Sequence, residues 1–243
     1  DTMVSRGGPR MSKFHFSITV HNKADIIKDV LDGVKKSMGS ESHLFPNLDG
    51  CTDASEQLID EWVVENNMQG RVTKLYTPDV HEILSINNIM QNAVPPEGDG
   101  YLVVLQDDVI LRDPALEHNI ETLYRFIKEN YNLKIGNLTF RHGVVSNFDH
   151  TYQCLGQHSL IEAITGIGFS DRPLRLGEVV ERISTIRSPQ CYSFDVIRTV
   201  GIQDPVLAPF NFDDYDYSIR CVQAGYRNFV MAVNCYSDPN KGS

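Results

Sequence analysis

The stretch Tyr101-Leu-Val-Val-Leu-Gln-Asp-Asp108 constrains the fold of this chain more than any other. An apolar run of strand length, rich in β-branched residues, reads as a strand buried on both faces of a sheet, as in parallel sheets covered by helices. Gln106, Asp107 and Asp108 then emerge at its carboxyl end, where open α/β sheets hold their ligands. Adjacent carboxylates repel each other unless a cation lies between them or one takes a proton. The pair therefore points to a hard divalent ion, Mg²⁺ or Mn²⁺, held against phosphate oxygens. A strand running into a solvated polar turn is the plainer alternative.

The residues on either side extend this strand into a fold. Residues 14–20 form a strand candidate, followed by a helix with Ile27, Val30, Leu31, Val34 and Met38 on one face and Asn22 as its cap. Residues 44–48 make a weaker strand, interrupted by Pro46, and Asp53-Ala-Ser-Glu56 is a capping box that opens a helix through Leu58, Ile59, Trp62 and Val63. A strand over 72–76, a helix over 82–93 and the strand over 101–105 come next. Asp113-Pro114 starts a helix with Leu116, Ile120, Leu123 and Ile127 inward, and 133–140 returns as a strand. Repeated β-α units with short connections imply a mostly parallel sheet with right-handed crossovers. Residues 141–189 are irregular and read as loops and antiparallel pieces over the sheet. A helix over 213–226 carries Tyr215, Ile219, Val222 and Tyr226 at helical spacing, with Gly225 near its end, and 229–233 closes as a strand.

Composition narrows the partners. The 243 residues carry a formal net charge of -10, which argues against a general binder of nucleic acid or anionic membrane. No apolar run approaches the roughly 20 residues that span a bilayer. Cys51, Cys154, Cys191, Cys221 and Cys235 are odd in number and form no C-x-x-C pair, so free thiols in a reducing, cytoplasmic setting are expected. Residues 1–12 suit a tag or linker remnant and 237–243 a tail, as for one domain taken from a longer chain.

Polar clusters fall at strand ends: Thr19-Val-His-Asn22 after the first strand, Asp49-Gly-Cys-Thr-Asp53 after the second and Gln106-Asp-Asp108 after the fourth. Such clusters converge at one rim of a doubly wound sheet. A fourth, Phe212-Asp-Asp-Tyr-Asp216, opens the late helix, where carboxylates meet the positive end of the macrodipole. Each also has a structural reading: Asn22 and Asp53 as caps, and Asp213, Asp214 and Asp216 as first-turn acids. For Asp53 the structural reading is the better one.

Taken in order, the four clusters resemble family 2-type glycosyltransferases of the GT-A fold. Phe16-Ser-Ile-Thr-Val-His-Asn22 is similar to that family's opening strand and turn, Leu48-Asp-Gly-Cys-Thr-Asp53 to its Asp-Gly-Ser-Thr-Asp segment, and Leu105-Gln-Asp-Asp-Val109 to its metal-binding Asp-x-Asp motif. Gly201-Ile-Gln-Asp-Pro-Val206, Phe212-Asp-Asp-Tyr-Asp-Tyr-Ser-Ile-Arg220 and Ala224-Gly-Tyr-Arg227 resemble its Gly-Gly-Phe-Asp, Glu-Asp and Ala-Gly-Tyr run. The likeness covers residues 14–235 and is weakest over 141–190.

The resemblance implies an α/β GT-A fold, a Rossmann-like, mostly parallel sheet flanked by helices with a small antiparallel acceptor-side portion. One domain over 13–236 would have a nucleotide-sugar half, 13–140, and an acceptor half, 141–236. Thr19, Val20, His21, Asn22, Asp49, Asn87, Gln106 and Asp107 would line the donor pocket, with Asp49 accepting from the base. Asp108 would bind Mn²⁺ or Mg²⁺ and Asp214 would be the general base. The implied reaction is metal-dependent transfer, with inversion, from a nucleotide sugar, UDP-sugar first, to a hydroxyl of a glycan or other acceptor. Further domains of a longer chain are expected partners; nucleic acid and a transmembrane segment are not.

The chain departs from the family pattern at several points. Gln106 stands where the first motif aspartate is usual, Thr19 and His21 replace a proline and a tyrosine, and Ile86 replaces a frequent arginine. No histidine follows His158 to serve as the family's late metal ligand. His142, His150 and His158 are candidates for the acceptor cleft. Two alternatives remain at this stage. One is a noncatalytic nucleotide- or glycan-binding domain, favoured by Gln106. The other is a sugar-phosphate nucleotidyltransferase, disfavoured by the missing glycine-rich basic loop.

Overall fold

The computed structural model describes residues 13–140, 175–185, 189–209 and 212–237. Among these residues the main sheet has eight strands, which, numbered in chain order, lie in the order β3-β2-β1-β4-β8-β6-β9-β7. The strands β1 (Phe14–Val20), β2 (His43–Asp49), β3 (Leu75–Thr77) and β4 (Tyr101–Gln106) are mutually parallel. They alternate with α1 (Ile27–Ser37), α2 (Ser55–Glu65) and α3 (His81–Ala93), as the β-α periodicity predicts.

Beyond β4 the chain changes style. β5 (Val109–Leu111) leaves the main sheet and pairs antiparallel with the last strand, β10 (Cys235–Ser237). After α4 (Leu116–Tyr131) and β6 (Ile135–Thr139), β7 (Val179–Arg182) takes the sheet edge. β8 (Gln190–Ser193) inserts antiparallel between β4 and β6, and α5 (Phe194–Val200), α6 (Asp213–Gln223) and β9 (Arg227–Met231) complete the order. The expected mostly parallel sheet with an antiparallel portion is thus present: the first four strands are parallel, β6 and β9 are parallel to each other, and β7 and β8 run antiparallel to their neighbours.

β4 is buried on both faces, and its side chains divide by the two-residue period of a strand. Val103 and Leu105 join the larger core with α1, α2 and α4, whereas Leu102 and Val104 join the second core with Ile86, Tyr192, Phe194 and Tyr217. α4 turns Leu116, Ile120, Leu123 and Ile127 inward as its spacing predicts, and Asn132 ends it in the left-handed region at φ 53°. Gly33 of α1 is needed for close approach, because a Cβ there would lie 2.7 Å from the Leu111 carbonyl oxygen of β5. α1 thus seats the small second sheet.

Several local expectations are corrected. Asn22 does not cap α1; its side-chain oxygen accepts from Thr52 N–H at 2.8 Å and Asp53 N–H at 3.2 Å, across the neighbouring turn. The Asp53–Glu56 capping box does not close either. Asp53 accepts from Ser55 N–H at 2.9 Å, while Glu56 is drawn to Lys74 at 2.8 Å and Tyr76 at 2.7 Å. Pro46 sits within β2, paired with Ile18 of β1. On α6 the buried positions are Asp213, Tyr217, Ser218 and Cys221, while Tyr215, Ile219 and Val222 stay half-buried. Cys51, Cys191 and Cys221 are free thiols, and Cys154 lies outside the described residues. Among the described residues no helix is long and apolar enough to cross a membrane.

Candidate functional site

β1, β2 and β4 run parallel, so the segments that follow them meet at one rim. The registers place Thr19 beside Gln106 and Asn47, and Asp49 beside Thr77. Val20 is fully buried and forms the floor of this rim, and its carbonyl accepts from the Cys51 thiol at 3.2 Å. Thr19 Oγ1 lies 3.5 Å from the Leu105 carbonyl oxygen, tying β1 to β4 just before the acidic pair.

Asp107 and Asp108 occupy the two-residue turn where β4 passes into β5, and both are more than nine-tenths buried. Asp107 Oδ2 accepts from His21 N–H at 2.8 Å, and Oδ1 lies 3.8 Å from Lys23 Nζ, itself buried. Burial pushes the Asp107 carboxyl up to about 7; the His21 N–H and Lys23 oppose that rise and Asp108 adds to it. Asp108 Oδ2 accepts from Ser237 Oγ at 3.1 Å. Its Oδ1 is buried and meets no hydrogen-bond partner among the described residues. A buried carboxylate oxygen left without a partner costs free energy that a bound cation removes, so the donor set fits a hard divalent ion.

Gln106, in the place of the first motif aspartate, donates its side-chain N–H to Glu82 Oε1 at 2.7 Å. A carboxylate therefore reaches this part of the rim from the first turn of α3. Spacing within the motif does not reveal it, because Glu82 lies 24 residues away.

The turn after β1 is held by side chains that bind backbone. Asn22 has φ 51° and secures the Thr52–Asp53 turn, while His21 Nδ1 lies 2.6 Å from the Asp49 carbonyl oxygen. Asp49 is buried, and its two carboxylate oxygens accept from Val80 N–H and His81 N–H, both at 2.8 Å. Gly50 follows at φ 57°, and a Cβ there would meet the Asp79 Cβ at 2.5 Å. His21, Asp49 and Asp79 bring potential metal-ligand atoms within 4.8 Å of one another. The His21 and Asp49 atoms already bind backbone in this turn and the Asp79 carboxylate is exposed, so this trio is a weaker cation site than Asp108.

Asn87, expected beside the donor, also ties two segments of the fold together. Its amide donates to the Gln203 carbonyl at 2.9 Å and its oxygen accepts from Gln203 N–H at 2.8 Å, a buried clasp between α3 and the segment before the 3₁₀ turn Pro205–Leu207. These bonds occupy both ends of its amide.

Asp214 lies in the first turn of α6, half-buried. Its Oδ1 receives Gln190 Nε2 at 3.4 Å, and Gln190 Oε1 accepts from Tyr192 O–H at 2.7 Å. Gln190 is in register with Val104 of β4 and Thr139 of β6, so Asp214 is tied to the same end of the sheet as Gln106–Asp108. Asp213 is buried, and Asp216 pairs with Arg220 at 2.7 Å. Gln190 and Lys23 escaped notice because neither sits in a chemistry-bearing motif; only the fold brings them to the acids. His142, His150 and His158 lie outside the described residues.

A groove of about 560 Å³ lies elsewhere, between α4 and the end of β9, lined by Arg112, His118, Phe126, Leu176, Met231 and Asn234 among others. It contains none of the rim residues. The convergence of acids at the sheet end, and not cavity size, identifies the candidate site.

No protein-family model and no curated protein sequence matches the chain. Solved structures do. TarS of S. aureus aligns with TM-score 0.61 and 14% identity over 93% of this chain and 36% of its own. Mannosyltransferase PcManGT from Pyrobaculum calidifontis, in complex with GDP-Man and Mn²⁺, gives 0.59 and 11% over 93% and 56%. GalNAc-T7 with UDP, GalNAc and Mn²⁺ gives 0.62 and 12% over 92% and 43%. The chain thus spans between about a third and a little over half of these proteins. At such identities the likeness establishes architecture: the chain is an α/β protein with the GT-A fold.

Proposed function

We propose that this protein is an inverting, metal-dependent glycosyltransferase that moves a sugar from a nucleotide-diphosphate sugar, UDP-sugar first, to a hydroxyl of a glycan or other acceptor. The observation that carries this reading is the buried Asp108 oxygen that meets no hydrogen-bond partner among the described residues, beside Asp107 at the carboxyl end of β4, with Asp214 tied to the same sheet end through Gln190. The structures of TarS with UDP, of PcManGT with GDP-Man and Mn²⁺, and of GalNAc-T7 with UDP, GalNAc and Mn²⁺ support the ligand class.

In this reading Asp108 holds Mn²⁺ or Mg²⁺, and Asp107 keeps the turn after β1 in place through His21 N–H. A divalent ion held there would supply Lewis-acid neutralisation of the charge that develops on the departing diphosphate. Thr19, His21, Asn22 and the Asp49 turn form the base and ribose side of the pocket, and Gln106 with Glu82 presents polar groups beside it. Asp214 takes the proton of the acceptor hydroxyl as the acceptor oxygen bonds to the anomeric carbon and the bond to the phosphate oxygen breaks. Attack opposite the leaving group inverts that carbon. The Gln190 amide restrains the Asp214 carboxylate while this occurs.

A thermal-shift panel of nucleotide sugars with and without Mn²⁺ tests the reading. A donor at 100 times its dissociation constant stabilises the fold by about 2.7 kcal/mol. The proposal expects a rise in Tm that EDTA removes. Absence of any rise across UDP- and GDP-sugars would overturn it.

A further inference from the structure

We infer that the last strand, β10, is a positioning device for the cation site, with Ser237 as the residue that sets Asp108. The inference rests on the metal-dependent reading above. A three-residue strand paired with another three-residue strand has little stability of its own. β10 is nonetheless docked by several contacts. Cys235, Tyr236 and Ser237 pair with Leu111, Ile110 and Val109, and Arg112 N–H donates to the Asn234 carbonyl at 2.8 Å. The Arg112 guanidinium also lies 4.9 Å from the centre of the Tyr236 ring.

This docking brings Ser237 opposite the residue that follows Asp108, from 129 positions further along the chain. The Ser237 hydroxyl donates to Asp108 Oδ2 at 3.1 Å, while Oδ1 is buried without a hydrogen bond among the described residues. One oxygen is therefore anchored by a donor and the other is left for a cation. Outer partners of this kind fix a ligand's orientation, and their loss typically costs about 10–100-fold in metal affinity. Ser237 is a positioning residue here, acting through Asp108 and not on the substrate.

The test is calorimetric titration of Mn²⁺ into the full chain at a fixed concentration of UDP, with Tm in EDTA as a control for folding. Ser237→Ala is expected to weaken Mn²⁺ about tenfold or more with little change in the EDTA Tm, and Ser237→Thr, which keeps the hydroxyl, to stay within about threefold of the parent. Tyr236→Ala keeps Ser237 but removes the ring beneath Arg112, and serves if Ser237→Ala does not fold; it too should weaken Mn²⁺. Parent-like Mn²⁺ affinity in Ser237→Ala or, where that variant does not fold, in Tyr236→Ala overturns the inference and leaves the metal reading intact. Failure of the parent protein to bind Mn²⁺ overturns both.

Discussion

The donor-side rim in residues 13–140 and the acids supplied with residues 189–237 are held in place by different means. In the first region side chains bind backbone: Asn22 to Thr52 and Asp53, Asp49 to Val80 and His81, and Asp107 to His21. Each such bond shapes a turn, and the turns sit on four parallel strands that follow one another closely in sequence. In the second region side chains bind side chains, Gln190 to Asp214 and Ser237 to Asp108, across 24 and 129 positions. The first region carves a pocket out of backbone, and its failure should register as lost stability. The side-chain pairs of the second region orient functional groups, so their loss should register as lost rate or affinity.

The largest expected effect tests the second region. Asp214→Asn should lower transfer by about 10²–10⁴-fold while UDP affinity stays within about threefold. Slow hydrolysis of the donor by water supplies a first assay without an acceptor. Parallel loss of UDP binding and transfer would assign Asp214 to the fold and erase the contrast.

Next in size is a pH effect on the first region. The Asp107 carboxyl titrates at about 7 in the folded protein, against about 4 in an unfolded chain. The folded state therefore holds the extra proton between these values, and in EDTA this carboxyl's contribution to stability falls as pH rises from about 4 to about 7, by as much as about 4 kcal/mol. Above about pH 7 its contribution levels off. Asp107→Asn should flatten that slope, measured as Tm from pH 4 to pH 8; an unaltered profile would remove Asp107 from the explanation.

Asp49→Ala leaves the Val80 and His81 N–H groups without their carboxylate. Hydrogen bonds to charged groups are worth about 1.5–3 kcal/mol each, so a loss of about 3 kcal/mol is expected in urea unfolding, with weaker UDP binding as a consequence. A stable Asp49→Ala protein with impaired UDP binding would make Asp49 a ligand contact and not a turn residue.

Asp108 belongs to both regions and should behave like neither. Asp108→Asn keeps the shape and removes the charge, so Mn²⁺-dependent UDP binding should weaken at least about tenfold, or about 1.4 kcal/mol, in calorimetry. Equal affinity with EDTA would end the metal assignment.

The first region was legible because its signals are local. Short apolar strands buried on both faces, the α4 stripe from Leu116 to Ile127 and the polar clusters after β1, β2 and β4 all follow from spacing within about twenty residues. The second was legible only in part. β8 and β10 have four and three residues with no usable period, and tertiary neighbours decide their state. The α6 stripe was displaced because Tyr217 buries its ring while its hydroxyl reaches the Gly201 carbonyl at 3.0 Å, an outlet that a hydrophobic count does not register. The buried Asn87 clasp is illegible in the sequence for a related reason. Its partner, Gln203, is 116 residues away, and a buried amide takes whatever backbone the fold supplies. Nothing near Ser237 in sequence shows that Asp108 is its neighbour, so from sequence its segment reads as tail.

The antiparallel insertion of β8 also matters for how the protein is made. Ribosomes deliver β4 long before residues 190–193, so a nascent chain that has reached residue 140 carries Tyr101–Val104 without the β8 partner of its second backbone edge. An apolar strand with open N–H and C=O groups is a template for pairing with another chain. Partial products that stop before β8 are therefore the aggregation-prone species of this protein, and expression yield should turn sharply upward once the Gln190–Ser193 strand is included.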